Sequence, residues 1–275
     1  MTEERIVMRK RTTVVMLAIG CWLALGGAAA AQDDASDLAK AAQNPLASLV
    51  SLPLQFNFNQ GVGPHDRTNL NLNVQPVIPF PGEKWNVIAR TIMPVKSVPL
   101  GATESEFGIG DTTMQLFFSP AKASKLTWGI GPIFGLPTAS NPQILGSEQW
   151  SLGPSAVLFY SVGKWTMGGV ASNLWSVAGA GDRADVNLLT AQVFCNYNLG
   201  SGWAVGTAPI FSANWQADSG NQWTIPWGLQ ISKVTRFGSQ PVNLVAGYYD
   251  NSEHPEGGPD SKVFFQMNLM FPTKK

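Results

Sequence analysis

The chain has 275 residues, 13% of them charged against ~25% in an average globular domain, with 18 basic and 18 acidic side chains in balance and 10 Trp, 28 Gly and 19 Pro. Mean hydropathy is nonetheless close to zero, the signature of an amphipathic β-surface in which amides and glycine stand where Lys and Glu would. No basic excess is available to hold nucleic acid, so none is expected as a partner.

At the N-terminus, Arg5, Arg9, Lys10 and Arg11 precede an apolar run from Val14 to Leu25 and an Ala-x-Ala site ending at Ala31. This is the layout of a secretory signal cut after Ala31, so residues 1–31 are assigned to a signal peptide. A lipoprotein site at Cys21 is the rival, but Ala18 and Ile19 ahead of Gly20 fit it poorly. Without residues 1–31 the chain keeps 14 basic and 16 acidic groups and one cysteine, Cys195. No intrachain disulfide can then form, and Cys195 is read as a small apolar side chain in a strand. No later stretch approaches the ~20 apolar residues of a membrane helix.

Residues 32–50 are Ala-rich and helix-prone, and Asn44-Pro45 has the form of an N-cap with a first-turn proline for a short helix through Val50. The segment is expected to be a helical, mobile leader. The alternative is a helix lying in or under the mouth of the fold that follows.

From residue 51 onward the pattern becomes one of strands. L-P-L-Q-F-N-F-N-Q (52–60) and T-N-L-N-L-N-V-Q-P-V-I-P-F (68–80) alternate apolar and amide side chains. Alternate strand residues face opposite ways. Leu54, Phe56 and Phe58 therefore share one surface, and Gln55, Asn57 and Asn59 the other. Leu70, Leu72, Val74, Ile78 and Phe80 likewise oppose Asn69, Asn71, Asn73 and Gln75. Twelve such segments follow one another, near 52–60, 69–79, 85–96, 107–118, 126–137, 149–160, 165–176, 187–198, 203–214, 223–234, 241–250 and 262–271. Each is close to the ~9–11 residues of a tilted strand crossing a bilayer.

The connections alternate in length. Tight ones at 81–84, 121–125, 162–164, 200–202 and 237–240 interleave with longer ones near 61–68, 97–106, 138–148, 177–186, 215–222 and 251–261. Outer-membrane barrels sort short turns to the periplasm and long loops to the outside in this way. Trp85, Trp128, Trp165 and Trp203 follow short turns, while Trp150, Trp175, Trp215 and Trp223 stand beside long loops. Two tryptophan bands at opposite strand ends match interfacial girdles. The last strand places Val263, Phe265, Met267, Leu269 and Phe271 on one face, and a late aromatic in the final strand is a signal for barrel-assembly machinery, although residues 272–275 follow it.

A lipid-facing Arg or Lys at the bilayer midplane costs about 2–4 kcal/mol, so Arg90 is assigned to the lumen with Asn86 and Lys96, and Trp85, Val87, Ala89 and Val95 to lipid. Asp111, Thr113 and Gln115 are turned inward, and an Arg90–Asp111 ion pair is expected between neighbouring strands. Gly129, Gly131 and Gly135 form an inward row that would let the wall bend or a plug come close. T-M-G-G-V-A-S-N-L-W-S (166–176) shows no clean period.

Catalytic, cofactor and metal sites are not expected. His65 lies beside Asp66 in the first long connection, and His254 lies between Glu253 and Glu256 in the last. Neither, with Ser252 or another serine, forms a hydrolase motif. Asp250, Glu253, Glu256 and Asp260 make an acidic loop that is either solvated or a cation bridge to lipopolysaccharide. G-I-G-D and G-V-G-P precede no helix and are not phosphate loops.

Several phrases together resemble one family. They are N-P-L-A-S-L-V-S-L-P-L-Q-F-N-F-N (44–59), L-N-V-Q-P-V-I-P-F (72–80), W-N-V-I-A-R-T-I-M-P-V (85–95), G-I-G-D-T-T-M-Q-L-F-F-S-P (108–120) and A-S-N-L-W-S-V-A-G (171–179), with C-N-Y-N-L (195–199) and Q-P-V-N-L (240–244). The chain is similar over most of its length after the signal to Gram-negative outer-membrane proteins termed MetA-pathway of phenol degradation, often labelled transporter or neuromedin U. The resemblance implies an outer-membrane barrel and a role in uptake of aromatic or other small compounds, and it supplies no functional residues. Cys195 and the short tail after Phe271 depart from the family pattern.

The sequence thus reads as an all-β protein: an up-and-down antiparallel transmembrane barrel of about 12 strands over 51–275, preceded by the 32–50 leader and located in the outer membrane. Barrels of ~8 strands are filled by side chains and those of ~16–18 hold aqueous channels, so a narrow passive path for small neutral or weakly polar solutes is expected. Asn57, Asn59, Asn71, Asn73, Gln75, Arg90, Asp111 and Gln115 are the expected pore lining, and Trp85, Trp128, Trp150, Trp165, Trp203 and Trp223 the girdle. Expected partners are membrane lipid, lipopolysaccharide, the assembly machinery and a small solute. The alternatives are an envelope structural or adhesion barrel, an outer-membrane lipid-modifying enzyme, and a soluble periplasmic β-protein.

Overall fold

The computed structural model describes residues 32–122 and 124–272, and the export signal expected over 1–31 lies outside them. In chain order the strands are β1 (Leu49–Val62), β2 (Arg67–Val74), β3 (Val77–Phe80), β4 (Trp85–Pro99), β5 (Ser105–Ile109), β6 (Thr112–Pro120), β7 (Leu126–Leu136), β8 (Gln149–Val162), β9 (Trp165–Gly179), β10 (Asn187–Gly200), β11 (Trp203–Thr207), β12 (Ile210–Asn214), β13 (Trp223–Phe237), β14 (Gln240–Glu253) and β15 (Ser261–Pro272). Three pairs, β2/β3, β5/β6 and β11/β12, are single staves interrupted at Gln75-Pro76, Gly110-Asp111 and Ala208-Pro209. The result is a closed antiparallel barrel of 12 staves, one for each segment expected from the sequence.

Closure is made by β15 on β1, paired from Leu49↔Pro272 to Gln60↔Ser261. On the far side β9 pairs with β10 from Asn187↔Trp175 to Tyr197↔Trp165. No rim of the sheet is left to pair with a stranger. The interruptions do not open the wall, because Gln75 N donates to Pro53 O (2.9 Å), Thr91 N to Pro76 O (3.0 Å) and Val193 N to Pro209 O (3.2 Å).

Of the longer connections, 215–222 keeps its expected bounds and 137–148 nearly so, while strands running further than expected shorten three others to 100–104, 180–186 and 254–260. The first shortens as well. β1 and β2 run on to Val62↔Arg67, and the expected loop 61–68 shrinks to a turn at 63–66 with Gly63 and Asp66 at φ 68° and 48°. At the opposite end β10 and β11 meet through Ser201 and Gly202, at φ 50° and 78°, the left-handed pair that a two-residue hairpin matching strand twist requires.

The faces follow the alternation. Ile130 is 56% exposed and Asn57 4%, while Phe56, Trp128, Leu158, Val193 and Leu229 stand on the exposed outside. The segment 166–176, which shows no period in sequence, alternates cleanly in β9. Thr166, Val170, Ser172 and Leu174 are buried, and Trp165, Ala171 and Trp175 are exposed. Gly168 and Gly169 hide the alternation because neither has a side chain to show its face.

The interior is not lined by amides alone. Ile88, Phe117, Val157 and Val170 project inward and pack with Leu46 and Val77. Ala39, Leu49, Val234 and Met270 form a second cluster. A narrow barrel fills much of its bore with side chains.

Part of that filling comes from the N-terminal segment, where the leader expectation needs correcting. Helix α1 (Gln32–Gln43) ends where Asn44-Pro45 begins, since the residue before proline avoids helical geometry. Asn44 therefore caps no helix through Val50. It makes a turn in which its Oδ1 accepts from Leu46 N at 2.9 Å and its carbonyl from Ala47 N at 3.2 Å, and β1 starts directly at Leu49.

Placing a charge on the outside tests the orientation of the wall. Ile130→Arg, near the middle of β7, is expected to cost about 2–4 kcal/mol in phospholipid vesicles, read by equilibrium urea unfolding. Unchanged stability would mean that this face does not meet lipid.

Candidate lumenal site

A cavity of about 250 Å³ lies inside the barrel. Its walls include Gln55 of β1, Asn73 and Gln75 at the β2/β3 break, Arg90 of β4, Gln230 of β13 and Lys262 of β15, and its floor is formed by Gln43, Asn44 and Ala47 of the N-terminal segment.

Arg90 organises one side. Its Nη2 donates to Gln75 Oε1 at 2.9 Å and its Nη1 to Gln115 Oε1 at 3.4 Å. Gln75 Nε2 donates in turn to Gln55 Oε1 at 3.4 Å, which also accepts from Asn73 Nδ2 at 3.4 Å. Two amide oxygens thus face the cation directly, and the next amide in the row is oriented by them, a cooperative arrangement in a low-dielectric interior.

The expected ion pair between Arg90 and Asp111 does not form. Asp111 sits at the β5/β6 break, where its carboxylate is taken by the connection 137–148. Oδ1 accepts from Ala139 N at 3.2 Å, and Oδ2 from Ser147 N at 2.7 Å and Ser147 Oγ at 2.8 Å. Backbone N–H groups of a folded-in loop outcompete a cation further down the bore. That loop carries a single helical turn, α2 (Pro142–Leu145), whose Leu145 is buried. A Cβ at Gly108 would lie 2.8 Å from Leu145 Cδ1, so this glycine makes room for the loop. Arg183 holds the loop from the other side, with Nε 3.1 Å from Glu148 and Nη2 donating to Gly146 O at 3.0 Å.

The other expected lining residues are placed as follows. Asn57 is buried and donates through Nδ2 to Asn71 O at 3.0 Å and Gln55 O at 3.3 Å. Asn71 and Asn69 each bury an Oδ1 with no hydrogen-bond partner. Asn59 is half-buried between Asn69 and Lys262 in register. Gln115 is buried beneath Arg90.

Sequence reasoning passed over Lys262, Tyr249 and Phe264. Lys262 Nζ stands 5.4 Å from the Tyr249 ring centre and 5.8 Å from that of Phe264, and the two rings stack at 5.9 Å and 25°. Tyr249 Oη accepts from Ala208 N at 2.7 Å, at the β11/β12 break. The signal was present, because Lys262, Phe264, Gln266 and Asn268 alternate with the apolar row from Val263.

The floor is held by specific contacts. Gln43 Nε2 donates to Asn198 Oδ1 at 3.0 Å, and Thr166 Oγ1 donates to Gln43 Oε1. Leu46 is buried among Ile88, Phe117, Val157 and Val170. A Cβ at Gly129 would lie 3.3 Å from both Leu46 Cδ2 and Phe117 Cβ, so the glycine of the inward row admits the segment. Residues 43–47 of the N-terminal segment thus pack inside the bore as a plug.

Of the expected girdle, Trp85, Trp128, Trp150 and Trp165 are exposed. Trp85 and Trp128 meet edge to face at 5.9 Å. Trp203 lies under Lys233 Nζ at 5.0 Å, and Trp223 packs edge-on against Trp215 at 5.4 Å. In the last long connection Ser252 Oγ donates to Ile225 O at 3.0 Å, and His254 Nε2 is 3.5 Å from Asp260. Ser252 and His254 are thus each engaged elsewhere. Among the described residues no three His, Cys, Asp or Glu side chains gather as metal ligands.

Leu46→Ala should loosen the plug and leave the barrel closed, because truncating a buried leucine costs about 2–5 kcal/mol. Hydrogen–deuterium exchange is expected to rise over 38–48 with the β1 and β15 ladder still protected; equal protection throughout would show that Leu46 does not anchor the segment.

No family model and no curated protein matches the chain. Solved structures do. The COG4313 outer membrane channel from Pseudomonas putida F1 superimposes with a TM-score of 0.61 at 13% identity, over 82% of this chain and 96% of that one. The NanC porin gives 0.52 at 11% identity, over 81% and 100%. Identities this low speak for the fold alone, and the fold is that of outer-membrane channel and porin barrels.

Proposed function

We propose that the chain is a passive outer-membrane channel for small solutes. The observation that carries this reading is a cavity with amide, cationic and apolar lining inside a sheet with no free rim and an apolar outside. Such a wall is stable between acyl chains and trapped water, because its strands pair around a closed ring. The architecture shared with a channel and a porin supports the reading, and so does the family resemblance, whose implied cargo is aromatic or other small compounds. A cavity of about 250 Å³ falls below the ~300–1,000 Å³ of pockets for drug-sized ligands, which suits solutes of one-ring size. The apolar band and tryptophan girdles would contact membrane lipid and lipopolysaccharide after insertion by the assembly machinery.

The plug favours a second reading, a closed envelope barrel with no transport role. Conductance separates the two. The signal-free protein in a planar bilayer is expected to give discrete, small currents, and a variant lacking residues 32–47 currents several-fold larger. Silence from both would replace the channel with the structural barrel.

A further inference from the structure

The charges inside the bore do not balance. Arg90 and Lys262 both line the lumenal cavity, and none of its lining residues is an Asp or Glu. Asp111, the acid expected to neutralise Arg90, is bound by loop N–H groups and Ser147. Lys262 has aromatic faces beside it and, among the described residues, no carboxylate within ion-pairing distance. Holding a cation away from bulk water without a counter-charge is costly. Arg90 is only partly compensated, by amide oxygens that bear no net charge. Among the described residues it donates to two protein oxygens, which leaves guanidinium N–H groups for a planar carboxylate, the partner whose geometry a guanidinium matches.

The rest of the cavity is equally selective in shape. Ile92, Phe194, Ile210 and Val245 contribute apolar wall beside the amides. A cavity of about 250 Å³ exceeds the ~150 Å³ that accepts a benzene, with room for one carboxylate besides. Charge, amide donors and apolar wall thus converge on one ligand chemistry.

We propose that the lumenal cavity is a binding site for small organic monocarboxylates, with Arg90 and Lys262 supplying the charge and the apolar wall receiving the body of the solute. This rests on the channel reading and narrows it, replacing the neutral solutes expected from sequence with anions. The missing ion pair makes the difference: with Asp111 withdrawn, the bore carries positive charge at the cavity.

Benzoate and its neutral isostere benzamide test the site on the full signal-free protein. In detergent, titration calorimetry is expected to show benzoate binding at least about tenfold tighter than benzamide. Arg90→Gln and, independently, Lys262→Gln should each erase that preference, and Arg90→Lys should restore part of what Arg90→Gln loses. In planar bilayers under a KCl gradient, the reversal potential should report anion preference that falls toward zero in the double Gln variant. Equal affinity for benzoate and benzamide, or a benzoate preference that survives both Gln variants, would overturn the site. Benzoate binding without any current, even with residues 32–47 removed, would uphold the site and overturn the channel. Currents that favour cations would overturn the anion assignment and leave the channel standing.

Discussion

The structure depends on one constraint: each backbone N–H and C=O of the wall must find its partner within the wall. Where water is absent, an unpaired group costs several kcal/mol, and only closure removes the last rims. The β1–β15 ladder from Leu49↔Pro272 to Gln60↔Ser261 meets this requirement. Even the proline breaks at Pro76 and Pro209 are bridged by N–H donors from adjacent staves. With the backbone satisfied in this way, side chains are sorted by their environment, large apolar ones outward and amides with a few apolar clusters inward.

A bore of this width cannot be both empty and stable. Its inner face carries amides, and the chain meets much of their hydrogen-bonding demand with itself, while Asn69, Asn71, Asn243 and Asn268 each keep a buried Oδ1 without a partner. Gln75, Gln55 and Asn73 form a row ending on Arg90, Asn57 binds neighbouring carbonyls, and Tyr249 takes the N–H freed at Ala208. The remaining space is filled by the segment before β1, which brings Leu46 into an apolar patch and Gln43 to Asn198 and Thr166. What is left is a small cavity with two cations and no acid. The chemistry of the site is therefore set by what the packing did not neutralise.

Much of this is legible in the sequence, and the exceptions have physical causes. Strand alternation is a strictly local property, so the twelve segments, the outward Phe56 and Trp128 and the inward Asn57 and Gln115 can be read from periodicity. Gly168 and Gly169 mask the period in β9 because they carry no side chain. Phe264 escapes notice because it is an aromatic side chain in the inward row with Lys262, Gln266 and Asn268, where amides mark the face. Asn44-Pro45 has the residues of a helix start and serves as a helix stop, because α1 approaches it from the other side. The Arg90–Asp111 pair fails for a different reason: the register sets Arg90 opposite Gln115, four residues along from Asp111, and a loop from elsewhere claims the carboxylate.

By itself, the sequence determined which segments become strands, which way most of their side chains point, and that one face is apolar while the other is amide-rich. These follow from the two-residue period of the extended chain and the composition of each face. Only the tertiary structure decided what occupies the bore, which charges find partners there, and how much space remains. Those outcomes depend on contacts between residues as far apart as Gln43 and Asn198 or Asp111 and Ser147, which no local pattern encodes and which only closure of the barrel brings together.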